Sequence, residues 1–126
     1  MKNAFFGIIA ALAFLSSSFA EVQVVYFHGK QRCPTCRAIE SETKSVMDEY
    51  FRKEIKERRL SFKVVDISDA KNEIIAEDFR VSWSSLFIVS NDGRRENLTA
   101  LSFAYARRNP AEFKIKLMNA ISQRLK

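Results

Sequence analysis

An α/β fold, a central mixed sheet of about four strands flanked by helices, is predicted by three observations. Strand-type and helix-type hydrophobic patterns alternate along the chain. Its two cysteines fall where the first strand candidate gives way to the first helix candidate, and an Asn-Asp-Gly turn joins two late strand candidates ahead of a well-capped terminal helix.

The first twenty residues are expected to stand apart from that fold. A basic start at Lys2, an apolar run from Ala4 to Leu15 and small residues ending in Ser18-Phe19-Ala20 have the form of a signal peptide. Cleavage is expected near Ala20. An apolar core of about 12 residues is short against the roughly 20 that a membrane-spanning helix needs, which sets aside an uncleaved anchor. The expected organisation is a signal peptide over 1–20 and one domain over 21–126, periplasmic or secreted. That remainder has the size of a single domain and contains no linker-like, repetitive or low-complexity segment.

Val22 to Phe27 is β-branched and aromatic, and Gly29 follows as a breaker, so the domain opens with a strand. After the cysteines, Ile39, Thr43, Val46, Met47, Tyr50 and Phe51 recur at helical spacing. The charged run Phe51 to Leu60 reads as the solvated continuation of that helix, Phe62 to Ile67 as a second strand, and Asn72 to Phe79 as a weaker helix. Leu86 to Val89 is a buried-strand run. Asn91-Asp92-Gly93 is a hairpin signal leading to a short antiparallel edge strand near Glu96 to Leu98. Thr99 to Arg108 reads equally as loop or short helix. Asn109-Pro110-Ala111-Glu112 then supplies a cap, a first-turn proline and a first-turn acid, and Phe113, Leu117, Ile121 and Leu125 mark the apolar face of a terminal helix.

The net charge is +6, but Glu40, Glu42, Glu49, Glu54 and Glu57 are interleaved with the basic residues. A nucleic-acid surface would need a one-signed patch, so no nucleic-acid partner is expected. The chemistry is expected instead within Tyr26 to Glu40, YFHGKQRCPTCRAIE. Cysteines two residues apart at a helix start can close a small disulfide ring, and unpaired amides with the helix dipole favour a thiolate at the first of them. Lys30, Arg32 and Arg37 add positive charge. Cys33 is therefore the expected nucleophile, with a pKa depressed toward the range of about 3.5 to 7.5 seen at such positions. Cys36, one turn inward and shielded, would resolve a mixed disulfide. Pro34 suits the first turn because its missing amide hydrogen would have no helical partner. A structural staple is the competing reading, although so short a loop gains little stability from closure. Zinc is not expected, since Cys33, Cys36 and His28 make at most three of four ligands. His28 is read first as a packed histidine and second as a proton-exchanging modulator.

The order β-α-β-α-β-β-α with Cys-Pro-Thr-Cys at the first strand–helix joint resembles the thioredoxin superfamily, and the motif itself is similar to the Cys-Pro-x-Cys of glutaredoxins and of some exported disulfide oxidases. The resemblance implies a thiol-disulfide oxidoreductase of unassigned direction. It would exchange electrons with a protein partner, such as a membrane redox protein or permease, and need no cofactor beyond a Cys33–Cys36 disulfide. It also implies a monomer, and a substrate-docking loop at Trp83, Ser84 and Ser85. Three places depart from the family pattern: Arg32 stands for a tryptophan, an aromatic-rich VVYF for a buried acid, and Ser84 or Ser85 for a cis-proline. Trp83 reads equally as a docking surface and as a core side chain. FHGKQRCPTCRAIE, SSLFIV and NLTALSFAYARRNP further resemble small exported thioredoxin-like proteins of bacterial arsenic-resistance clusters, described as nitrophenyl compound nitroreductase subunits acting beside a permease. That resemblance implies an electron relay. The alternative class is a non-catalytic binding module that keeps the fold and a structural disulfide.

Overall fold

The computed structural model describes residues 21–126. The expected signal peptide over 1–20 and its cleavage site lie outside the described residues. The chain runs β1 (Val22–His28), α1 (Pro34–Tyr50), α2 (Arg52–Lys56), β2 (Leu60–Asp66), a 3-10 turn (Ala70–Asn72), α3 (Glu73–Asp78), β3 (Ser85–Val89), β4 (Arg95–Asn97), α4 (Thr99–Tyr105) and α5 (Pro110–Leu125). The strand order is β2-β1-β3-β4. β1 pairs parallel with β2 and antiparallel with β3, and β3 pairs antiparallel with β4. This is the mixed four-stranded α/β sheet expected from the sequence.

The near-continuous apolar run of β1 follows from its central place, which buries both of its faces. Val22, Val24 and Tyr26 face a core shared with Ile39, Val46 and Met47 of α1 and Phe113, Leu117 and Ile121 of α5. Val25 and Phe27 face the opposite layer, where Val65, Phe87, Ile75 and Phe79 close the sheet under α3. Rings of Phe27, Phe79 and Phe87 meet there edge to face and tilted, at 5.0 to 5.9 Å between centroids.

Several boundaries differ from the sequence reading. The charged run after α1 is not one continued helix. Phe51 leaves helical geometry (φ −128°, ψ 21°) and turns into the core, so α2 is a separate short helix. Tyr50, expected on the apolar face, is 51% exposed because Phe51 takes the core position at that end. β2 starts at Leu60, ahead of Phe62, since Leu60 is itself a buried core residue. The left-handed Arg58 (φ 61°) makes the sharp turn before it. The hairpin turn forms as expected: the Gly93 amide donates to the Ser90 carbonyl at 2.9 Å, and Gly93 has φ 88°, a conformation that favours glycine. Thr99 to Tyr105 is a helix. Ser102 is buried in it with its hydroxyl donating to the Leu98 carbonyl at 2.7 Å, and Phe103 packs against the core.

Candidate functional site

Cys33 is the N-cap of α1, in extended geometry (φ −71°, ψ 162°), with Pro34 at the first helical position. It forms a disulfide with Cys36, across a Cα–Cα distance of 4.9 Å. The Cys36 amide donates to the Cys33 sulfur at 3.0 Å, so a first-turn N–H that would otherwise lack a partner is aimed at that sulfur. Cys33 is exposed, whereas Cys36 is only 7% exposed. The asymmetry between an outer and an inner sulfur is therefore built by the helix start itself.

Beneath the disulfide lies Tyr26, fully buried, whose hydroxyl donates to the Cys36 carbonyl at 2.7 Å. Strand alternation explains its place: Val22, Val24 and Tyr26 all point toward α1. Antiparallel pairing of Phe27 with Ser85 brings the start of β3 to the same sheet end as the dithiol. The loop before β3 consequently faces Cys33 and Cys36 across a cleft of about 340 Å³, whose walls include Lys30, Trp83, Ser84 and Phe103.

Of the residues singled out in the sequence, Cys33, Cys36, Lys30, Trp83 and Ser84 meet at this cleft. Ser85 is buried beside it, lining a neighbouring cleft, with its hydroxyl donating to the Trp83 carbonyl at 3.1 Å. Trp83 is 66% exposed, which overturns its reading as a core side chain: it stacks on Phe103 at 6.0 Å between centroids and leaves its other face open. No peptide bond among the described residues is cis.

His28, Arg32 and Arg37 do not line the cleft. His28 ends β1 opposite Asp66, with Nδ1 2.9 Å from the Gly29 carbonyl oxygen and its ring stacked at 6.0 Å on Tyr26. Arg32 is paired with Glu40 of α1, which offsets its charge at Cys33. Arg37 is exposed on the helix flank. Asp66 carries a carboxyl held below its ordinary range. The chief cause is hydrogen bonding from the Ser68 hydroxyl (2.6 Å) and amide (2.9 Å), with smaller contributions from the charges of His28 and Arg32. Sequence reasoning missed the Tyr26 and Glu40 contacts and the place of Phe103 at the cleft. For Tyr26 the period-2 alternation was a usable signal, whereas the Arg32–Glu40 pair depends on loop geometry that spacing does not encode.

Comparison with solved structures bears on the architecture. Thioredoxin from Fasciola hepatica superposes with a TM-score of 0.53 at 18% identity, covering 90% of each chain. The fold is thioredoxin-like. Trxlp from Edwardsiella tarda matches with a TM-score of 0.52 at 20% identity over 83% of this chain and 91% of its own. A Thermus thermophilus thioredoxin matches at 0.50 and 23%, over 90% and 82%. No family model and no curated protein matches the sequence. Within this thioredoxin-like domain, the Cys33–Cys36 disulfide stands at the start of the helix that follows the first strand.

Proposed function

We propose that the chain is an exported thioredoxin-like thiol-disulfide oxidoreductase that exchanges electrons with a protein partner through Cys33 and Cys36. The observation that carries this reading is the exposed Cys33 sulfur receiving the Cys36 amide at a helix N-terminus, with its disulfide partner shielded behind it. That setting favours a thiolate once the disulfide is reduced. In one direction, the Cys33 thiolate attacks a partner disulfide, forming a Cys33–partner disulfide and expelling one partner thiolate. The Cys36 thiolate then attacks the Cys33 sulfur, closing the Cys33–Cys36 bond and releasing the second. Two electrons pass to the partner, whose two thiolates take up the two protons given up by the dithiol. The reverse sequence oxidises a partner dithiol.

An electron relay to a nitroaromatic- or arsenical-reducing membrane system is a special case of this reading, supported by the resemblance of the dithiol and serine-rich segments to exported proteins of arsenic-resistance clusters. The periplasmic or secreted location rests on the form of residues 1–20. An equilibrium titration in glutathione redox buffer tests the core of the proposal. A reactive dithiol gives a reversible midpoint within the buffered range; a bond that stays oxidised in millimolar reduced glutathione would instead make the protein a binding module with a structural disulfide.

A further inference from the structure

The cleft beside the disulfide does not end at Trp83. A second cleft of about 610 Å³ opens on its far side, floored by Phe79, Val81 and Phe87 and bounded by Ala100 of α4. Trp83 and Phe103 line both clefts, so their stacked rings form the partition between the two. Among the described residues, the only charged ones lining either cleft are Lys30 and Arg80, no carboxylate lines them, and neither cation enters an ion pair. The nearby Arg95 is already engaged, paired with Asp78 and lying over the Phe79 ring at 3.7 Å.

A ligand small enough for the first cleft would leave the second empty. An extended polypeptide would fill both, because side chains two residues apart project to the same side and can straddle the ridge between the clefts. The apolar floor selects an apolar side chain, and an aromatic one gains edge contacts with the phenylalanines. The uncompensated cations select acidic residues around it. We propose that the second cleft docks an aromatic side chain from an extended acidic segment of the partner polypeptide, whose cysteine reacts at Cys33. This rests on the exchange reading above and adds the recognition element to it.

Ala100→Trp tests the proposal, because Ala100 is exposed in the first turn of α4 and lines the second cleft but not the dithiol cleft, so an indole there should occupy the second cleft. The probes are glutathione disulfide and a series of acidic peptides with one disulfide-bonded cysteine, in which a phenylalanine is walked along the chain away from that cysteine. In the wild-type protein one phenylalanine position should raise the exchange rate by about ten- to hundredfold over an alanine peptide, the factor for burying one such side chain. Ala100→Trp should abolish that gain while reacting with glutathione disulfide at the wild-type rate. Arg80→Asn, which tolerates the left-handed backbone there (φ 55°), should lower the preference for acidic over lysine-containing peptides. No phenylalanine effect at any position, or an effect that survives Ala100→Trp, overturns the docking proposal and leaves the exchange reading standing. An equal loss of reaction with a small nitroaromatic disulfide in Ala100→Trp would overturn the polypeptide identity in favour of a small aromatic ligand. If the wild-type protein reacts with none of these disulfides, the exchange reading itself fails, and the docking proposal with it.

Discussion

Replacing Trp83 by alanine separates a surface role from a structural one, and the structure sets the size of each effect. Trp83 is 66% exposed, so about a third of a side chain of roughly 250 Å² is covered in the free protein. At about 25 cal/mol per Å², that covered area is worth about 2 kcal/mol at most. A core tryptophan would cost roughly 3 to 5 kcal/mol. A partner that covered half of the exposed remainder would bury about 80 Å² more, worth about 2 kcal/mol, or a factor of about 30 in transition-state binding. Trp83→Ala should therefore lower the unfolding free energy by less than about 2 kcal/mol while slowing exchange with a protein disulfide by at least about tenfold. Reaction with glutathione disulfide, which covers less of the ring, should change little. Since Trp83 is the only tryptophan, unfolding is followed by circular dichroism in urea rather than by fluorescence, and exchange by quenched-flow alkylation. A stability loss of about 3 kcal/mol or more would show that the ring belongs to the core. Wild-type exchange with protein disulfides would move the recognition surface away from this loop.

In the reduced protein, iodoacetamide at mildly acidic pH should alkylate Cys33 well before Cys36. Glu40→Gln should accelerate that labelling by releasing the Arg32 charge, whereas Arg32→Gln should slow it less than Arg37→Gln does. Cys36→Ser should accumulate mixed disulfides with exported or membrane proteins and Cys33→Ser should not, as read by non-reducing gels. Tyr26→Phe removes a buried hydrogen bond to the Cys36 carbonyl and should cost about 0.5 to 1.5 kcal/mol in urea unfolding, with a change in the dithiol midpoint that a purely structural role would not produce. The lowered Asp66 pKa means that its contribution to stability is complete above the unfolded carboxyl pKa and is lost as pH falls through the folded value. Ser68→Ala should raise the Asp66 titration observed by NMR, so the stability gap between wild type and variant should close toward acid pH.

The fold was legible where one local pattern decided each element. Asn109 accepting from the Glu112 amide, with Pro110 in the first turn, makes the start of α5 unambiguous. The glycine conformation at Gly93 does the same for the hairpin. Errors arose where tertiary packing overrode periodicity. Phe51 continues the helical spacing of α1, yet the core draws it inward and the helix breaks there. Thr99 to Arg108 reads equally as loop or short helix because Leu98, at the N-cap of α4, offers no capping side chain; the Asn97 side-chain oxygen accepting from the Thr99 amide at 2.9 Å and the burial of Ser102 accompany the helical form.

The candidate site divides along the same line. Sulfur asymmetry was readable because it depends on position alone: a residue at N-cap meets the amide three residues on, whatever the rest of the protein does. Electrostatic influence was not, because charge count and charge effect differ. Lys30, Arg32 and Arg37 all lie near Cys33 in sequence, but Arg32 is matched by Glu40 and Arg37 is exposed outside the cleft, leaving Lys30, among the described residues, as the cation that lines the dithiol cleft. On the exchange reading, the helix terminus would supply the part of thiolate stabilisation that the loop cannot cancel, and Glu40 would tune the loop's share. That ordering makes Glu40→Gln more informative than any of the arginine substitutions: removing a cation weakens one contribution among several, whereas removing the carboxylate exposes a charge that the folded protein keeps neutralised. Unchanged labelling in Glu40→Gln would show that the amide of Cys36 and the helix dipole alone set the reactivity of Cys33.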